Sequence, residues 1–201
     1  MDIKINCHSS ICVNDEIWFD PFRVDSGKAK YIFVTHSHWD HFSVDDIKKL
    51  LIKETKIVCP LSMKREVQNL FENEIVFVGP EKSYQIDDLM VDVISSYNIT
   101  KQFHPKANGW VGYNVTIDGE KVLVVGDSDN TSELNQVKTD VLLVPIGGTY
   151  TMTIEEAAEL ANSIKPKKVI PTHYGEIVGE KDFGKEFEKL IDGEIECELL
   201  I

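Results

Sequence analysis

Three of the chain's six histidines, His36, His38 and His41, fall within six positions in the run Thr35-His36-Ser37-His38-Trp39-Asp40-His41. Neutral imidazoles and carboxylates are the usual protein ligands of zinc and related metals, so the run reads as a metal-binding segment. His36 and His38 are two apart and point the same way from an extended backbone, which lets them grip one ion. Asp40 and His41 follow where the chain turns and can reach a second. Asp127, in Gly126-Asp127-Ser128-Asp129, is placed to bridge both, and His173, in Pro171-Thr172-His173-Tyr174-Gly175, to complete the second site. Two divalent ions about 3.5–4 Å apart share a water, lower its pKa and clamp the substrate's oxygens. A bridging hydroxide then serves as nucleophile, no Ser or Cys is required, and Asp40 and Asp127 count among the catalytic residues. The competing reading is structural: Asp127 in an Asx turn, His173 in a plain turn. For the 36–41 cluster it is costly, because four polar groups after a buried strand need a partner.

These residues follow apolar runs. Tyr31–Val34 leads into the histidine cluster, Val122–Val125 into Gly126-Asp127, Val141–Val144 into Pro145-Ile146-Gly147-Gly148, and Lys168–Ile170 into Pro171-Thr172-His173. Strand ends converging on one edge of a sheet are where sites are built. Further strands are expected at Ile3 and Ile5, Ile11–Val13, Ile17–Phe19 before Asp20-Pro21, Ile75–Val78, Leu89–Ile94, Trp110–Ile117, Lys121–Val125 and the terminal Glu194–Ile201. A helix capped by Ser43 with Asp46 three residues on carries Val44, Ile47, Leu50 and Leu51 on one face. Others are expected over Leu61–Leu70, after Thr153 with Glu156 at its third position, and over Phe183–Ile191. Strands mixed with helices in two similar halves predict two packed sheets with helices outside, in one domain spanning residues 1–201.

Composition narrows the function classes. A net charge of −13 opposes a general grip on nucleic acid and favours a small-molecule substrate. Cys7, Cys12, Cys59 and Cys197 form no Cys-x-x-Cys pair and read as reduced thiols. No apolar stretch is long enough to span a membrane, and the start Met-Asp-Ile-Lys-Ile-Asn lacks a basic segment followed by an apolar run, so a cytoplasmic protein is expected. Exposed edge strands and a site built at a rim are compatible with a homo-oligomer.

His-x-His-x-Asp-His after an apolar strand, then Gly-Asp-Ser, then Pro-Thr-His-Tyr-Gly, resembles the metallo-β-lactamase superfamily, over Asn6 to about Gly175. The resemblance implies an α/β (α+β) fold, the four-layer αββα sandwich, with metals at one edge. Cys7-His8-Ser9-Ser10, Ser96-Tyr97-Asn98, Phe103-His104-Pro105-Lys106, Gly109-Trp110-Val111-Gly112-Tyr113 and Pro145–Met152 resemble the branch that includes ascorbate-6-phosphate lactonase-like and UPF0173 metal-dependent hydrolases. One departure matters. Many superfamily members have a third histidine for the first metal after a middle strand, whereas here Leu89–Ile94 runs into Ser95-Ser96-Tyr97-Asn98. Either a loop folds His104 back onto the metal, or Asn98 or water takes the position. The resemblance also places His8 near the site, as a substrate contact, a support for the ligands or a proton donor. It puts Lys106, Trp110, Thr149 and Tyr150 at the rim, where they could hold substrate.

The expected function is therefore a hydrolase of a small ester, lactone or phosphodiester with two divalent ions, zinc by preference and manganese or iron as alternatives. His36, His38 and His104 would hold one ion, Asp40, His41 and His173 the other. The alternatives are a metal-binding or sensing domain without catalysis, and a nuclease of the same superfamily, which the acidic charge disfavours.

Overall fold

A computed structural model describes residues 1–201. The first sheet holds six strands in chain order: β1 (Ile3–Cys7), β2 (Ser10–Val13), β3 (Ile17–Phe19), β4 (Ala29–Phe33), β5 (Leu51–Pro60) and β6 (Glu74–Val78). The second holds seven: β7 (Lys82–Ile86), β8 (Leu89–Ser95), β9 (Val111–Ile117), β10 (Glu120–Val124), β11 (Val141–Pro145), β12 (Lys168–Thr172) and β13 (Glu196–Cys197). Each sheet begins with antiparallel hairpins and ends in parallel strands, from β3 onward in the first and from β10 onward in the second. Parallel strands need crossovers, and these carry the helices: α1 (Val44–Leu50) between β4 and β5, α2 (Lys64–Val67) between β5 and β6, and α3 (Ile154–Ile164) between β11 and β12. The helix α4 (Phe183–Glu188) precedes β13.

The unbroken apolar strands are explained by burial on both faces. In β4, Tyr31 and Phe33 face the core between the sheets, while Ile32 packs with Ile47 and Leu50 of α1 and Met63 and Val67 beside it. In β10, Val122 and Val124 face inward while Leu123 packs outward with Ala157, Leu160 and Ala161 of α3 and Phe187 of α4. Three apolar layers separated by two sheets give the αββα sandwich, as expected. Both anticipated caps form: the Ser43 hydroxyl accepts from Asp46 N, and Thr153 with Glu156 makes a reciprocal capping box.

Two strands were missed and one is shorter than expected. Helix α1 stops at Leu50 because Leu51 is already extended (φ −66°, ψ 129°) and opens β5. Leu51 thus extends the helix's apolar pattern while belonging to the strand, and the solvent-facing Lys53 and Glu54 hide the strand's first half. The edge strand β7 is mostly exposed, and its alternation of Tyr84 and Ile86 is the only signal it carries. Of the terminal segment only Glu196 and Cys197 pair as strand. All four cysteines are free thiols. No helix is long and apolar enough to cross a membrane.

Candidate metal centre

The loops after β1, β3, β4, β8, β10 and β12 bring His8, Asp20, His36 to His41, His104, Asp127 and His173 to one edge of the sandwich. Their donor atoms fall into two main sets. In the first, His36 Nε2 and His104 Nε2 lie 3.2 and 3.1 Å from His38 Nδ1, and His104 Nε2 lies 3.2 Å from Asp127 Oδ2. In the second, His41 Nε2 is 3.7 Å from Asp40 Oδ2 and 3.3 Å from Asp127 Oδ1, and His173 Nε2 is 3.2 Å from Asp127 Oδ2. Four ligands at about 2.0–2.1 Å around a tetrahedral ion stand about 3.4 Å apart, so these separations suit a transition metal. The Asp127 carboxylate touches both sets.

Hydrogen bonding supports the same reading. His41 Nε2, both ring nitrogens of His173, His8 Nδ1 and Asp127 Oδ1 are buried and make no hydrogen bond. Leaving such atoms bare in the interior costs about 1–3 kcal/mol each, and a cation would answer three of them, His41 Nε2, His173 Nε2 and Asp127 Oδ1, which converge on one point. The His/Asp donor chemistry fits a divalent metal at both sets, and the orphaned atoms support it at the second.

Local sequence explains how each side chain is aimed. His8, His104 and His173 adopt left-handed backbone (φ 54°, 58° and 59°), as does Asp20 (φ 46°). Non-glycine residues there store strain of about 1–3 kcal/mol each, which the surrounding structure must hold. Gly126 (φ 70°) has no room for a Cβ, which would sit 3.1 Å from Thr35 Cβ and 3.2 Å from Val111 O. Its bareness lets Asp127 turn inward beside the histidine run. Ser128 locks the same turn, its hydroxyl donating toward Tyr97 O at 2.9 Å and accepting from Tyr97 N at 3.1 Å.

Charge in the cluster is set by burial against neighbouring carboxylates. Burial, with the neighbouring His41 charge, holds His36 well below the ordinary imidazole value, and burial with the nearby His104 lowers His38. Burial takes His8 down to about 4 despite its 3.2 Å contact with Asp40 Oδ2. Burial opposes a charge on His41 too, but Asp127, Asp20 and Asp40 outweigh it and push it up to about 9. Burial would raise Asp40 and Asp127, yet the His8 hydrogen bond and His41 bring Asp40 to about 2, and His173 and His41 hold Asp127 well below the carboxylate range. His36 and His38 are thus neutral beside ionised Asp40 and Asp127, the states a divalent cation requires, whereas His41 is held protonated by its carboxylate neighbours and must release that proton when a cation binds.

His104 folds back to the cluster. Asn98 accepts nothing at Oδ1 and points its amide nitrogen at His104 Nδ1 (3.3 Å) and Tyr150 O (2.7 Å), so it buttresses the histidine. Tyr150 lines the cleft above the cluster together with Trp39 and Phe103. Trp110 packs its ring on His36 and His38, at 4.9 and 4.7 Å between centroids, from behind the cleft. Trp110 is thus not at the rim where it was expected, and two further rim residues also lie elsewhere. Lys106 turns away, its ammonium 2.5 Å from Glu133 Oε1 and 4.5 Å above the Tyr97 ring, a better partner than open solvent beside an apolar cleft. Thr149 is exposed and lines no part of the cleft, because Gly148 turns the loop outward (φ 79°). His8 lies in the second donor set, its ring 3.8 Å from that of His173.

Asp20 was not anticipated as a site residue. It is fully buried and accepts from Thr35 N (2.7 Å), Thr35 Oγ1 (2.6 Å) and His41 Nδ1 (2.7 Å). With its own hydrogen given to Asp20, Thr35 Oγ1 accepts from His36 Nδ1 at 2.9 Å. One carboxylate thus fixes the tautomer of a histidine in each set, directing Nε2 of both at the cluster. The available signal was weak: an Asp-Pro step closing a short buried strand.

Comparison with known proteins agrees with the fold and the donor chemistry. The family described as beta-lactamase superfamily domain matches residues 5–173. The chain is 33% identical to a UPF0173 protein of Pyrococcus furiosus over 198 residues, 90% of this chain and 88% of that one. It is 28% identical to a UPF0173 metal-dependent hydrolase of Archaeoglobus fulgidus, covering 85% and 77% of the two chains. A crystal structure from Parabacteroides distasonis, described as a candidate metal-dependent hydrolase, superposes with a TM-score of 0.83 at 25% identity, covering 98% of this chain and 91% of that one. A metallo hydrolase of Ignicoccus hospitalis shares the fold at a TM-score of 0.76 and 19% identity, covering 98% and 93%. The chain belongs to the beta-lactamase superfamily domain family, among the UPF0173 metal-dependent hydrolases of the metallo-β-lactamase superfamily.

Proposed function

We propose that this metal-dependent hydrolase works with two divalent ions, one held by His36, His38 and His104, the other by Asp40, His41 and His173, with Asp127 shared. Its substrate is a small ester, lactone or phosphodiester. The observation that carries the proposal is Asp127: one carboxylate oxygen lies 3.2 Å from both His104 Nε2 and His173 Nε2, and the other 3.3 Å from His41 Nε2. When bound, such an ion pair lowers the pKa of water and supplies Lewis-acid charge to the scissile group. The donor set accepts zinc, manganese or iron.

The protein's own residues do the rest. Asp20 and Thr35 hold His41 and His36 with the correct nitrogen forward. His8, neutral at physiological pH, donates to Asp40 Oδ2 and fixes the rotation of that carboxylate. Asn98 and Trp110 brace His104, and Trp39, Phe103 and Tyr150 wall the cleft.

Metal content by mass spectrometry, on untagged protein purified without added metal and after reloading, tests the reading beside Asp127→Ala. About two ions per chain are expected for a bridged pair, with loss of at least one in the variant. A chain that takes up none on reloading overturns it. Uptake of two ions with no turnover across esters, lactones and phosphodiesters favours a sensing domain.

A further inference from the structure

The cleft above the cluster has a cavity of about 310 Å³, at the small end of ligand pockets. Its floor is His38, His104, Asp40, Asp127 and His173; its walls are Trp39, Phe103, Tyr150, Ile177 and Val178. Trp39 is 62% exposed and Phe103 47% exposed, although both rings are held in place. The Trp39 indole meets the Phe22 ring edge-on at 5.4 Å, and Phe103 meets Tyr150 edge-on at 4.7 Å. Two braced aromatic faces left in water beside a polar floor are what an apolar ligand group would cover.

The walls carry no cation. No Lys or Arg side chain lines the cavity. Of the basic residues of the neighbouring loops, Lys101 is engaged with Asp129 and Glu156, Lys106 with Glu133, and Arg23 with Glu176 at 3.1 Å and the face of Phe22, while Lys181 lines a separate groove with Gly175 and Glu176. The chain's net charge of −13 adds to the cost of a second anionic group away from the floor. A groove of about 370 Å³ at the start of β11 and β12 holds only ion pairs such as Lys167 with Asp140, and lies at the far end of those strands from the histidines.

We infer that the substrate is a compact carboxylic ester or lactone, uncharged at neutral pH, whose aryl or branched alkyl group lies between Trp39 and Phe103. The inference rests on the hydrolase reading above and narrows it away from phosphodiesters. In the reaction, water oxygen bonds to the acyl carbon, the acyl C–O bond breaks, and the departing alkoxide takes a proton from that water, giving an acid and an alcohol from an ester or a single hydroxy acid from a lactone.

The test compares the metal-loaded protein on para-nitrophenyl acetate, para-nitrophenyl phenylacetate, the para-nitrophenyl half-ester of succinate and bis(para-nitrophenyl) phosphate. The phenylacetate is expected to exceed both the acetate and the anionic half-ester in kcat/KM by about tenfold, the effect of seating one ring against an aromatic wall. Trp39→Ala and Phe103→Ala should each lower kcat/KM for the phenylacetate several-fold more than for the acetate. Preference for the half-ester or the phosphate diester, or equal losses on every ester, overturns the inference. Ligand-observed NMR with benzylacetone, an uncharged aryl ketone that cannot be hydrolysed, separates the two proposals. If no ester turns over, the hydrolase reading fails; saturable benzylacetone binding that weakens in Phe103→Ala then still supports the apolar cleft, and absence of binding overturns it.

Discussion

Replacing Asp20 with Asn tests whether a residue outside both donor sets controls them. The carboxylate accepts three hydrogen bonds, from Thr35 N at Oδ1 and from Thr35 Oγ1 and His41 Nδ1 at Oδ2, in full burial. An amide of the same shape has one acceptor oxygen, so at least one contact becomes N–H against N–H. If the amide nitrogen replaces Oδ1, the Thr35 backbone N–H loses its partner, at about 1–3 kcal/mol. If it replaces Oδ2, His41 must present Nδ1 as an acceptor and move its proton to Nε2, where the metal belongs. Thr35 must then turn its hydroxyl hydrogen to His36 Nδ1, forcing the same tautomer there. Loss of such a supporting contact lowers metal affinity by about 10–100-fold, or 1.4–2.8 kcal/mol, and in this second orientation both sites should weaken because one oxygen serves both. The assay is competition with a chelating dye for each ion, beside thermal unfolding of the metal-free protein and nitrogen-15 NMR of the imidazoles. Affinities within twofold of wild type and unchanged His36 and His41 tautomers, together with undiminished stability of the metal-free protein, would refute the reasoning. A loss confined to one ion would show that the link through Thr35 to His36 carries nothing.

Gly147→Ala places a Cβ 2.5 Å from His173 O and 3.1 Å from His173 Nδ1, neither of which can give without shifting the histidine. We expect loss of about 1–3 kcal/mol in denaturant unfolding and a selective fall in one bound metal by mass spectrometry; unchanged metal content would show that the loop relaxes elsewhere. Asp129→Ala removes the acceptor for Ile99 N (2.7 Å) and Thr100 N (3.3 Å) and the partner of Lys101, so the loop carrying His104 should loosen. Hydrogen exchange at Ile99 and Thr100 is expected to rise by about tenfold or more, with weaker metal binding, and unaltered exchange would contradict it. Asp46 accepts from Arg23 N, Val24 N, Ser43 Oγ and Lys49; burial opposes its ionisation, but the Lys49, Ser43 and Arg23 hydrogen bonds prevail and hold it below its ordinary 3.8. Its folded pKa is depressed, so its contribution is complete above about pH 3.8 and is lost as pH falls through the folded value. Asp46→Asn should cost about 1–2 kcal/mol at neutral pH, with the gap to wild type closing in acid; a gap independent of pH would mean the bonds are not charge-dependent.

The parts of the fold that were legible in sequence are those where a single local rule acts. Buried parallel strands such as Tyr31–Phe33 and Val122–Val124 announce themselves because both faces must be apolar, and capped helices such as α1 and α3 announce their first turn. Strand β5 escaped because helix and strand share the junction at Leu50 and Leu51 with no intervening turn, so the change of period had no punctuation. The candidate site divides in the same way. His36, His38, Asp40 and His41 are contiguous, and their spacing speaks for itself. His104 carries no such signal, since its position depends on Asp129 holding a loop whose path is a tertiary matter. Lys106 misled because a basic residue beside a predicted cleft is indistinguishable in sequence from one paired with Glu133, 27 positions away.

Asp20 shows where that limit comes from. A ligand needs a particular side-chain type at a particular strand end, and both leave a trace in sequence. A residue that orients ligands needs only to be a carboxylate reachable from the unused imidazole nitrogen, and any loop at that edge could supply it. Its identity follows from the distances to Thr35 and His41 and from complete burial, which pushes its carboxyl up and which the His41 and Thr35 contacts oppose. The same logic governs the cleft. The candidate metal-facing donors were legible because their chemistry is narrow, whereas Trp39 and Phe103 are informative only once the structure shows both rings braced, exposed and lining a cavity that no Lys or Arg side chain enters. On the proposed reading, the walls select the substrate and the floor sets the reaction.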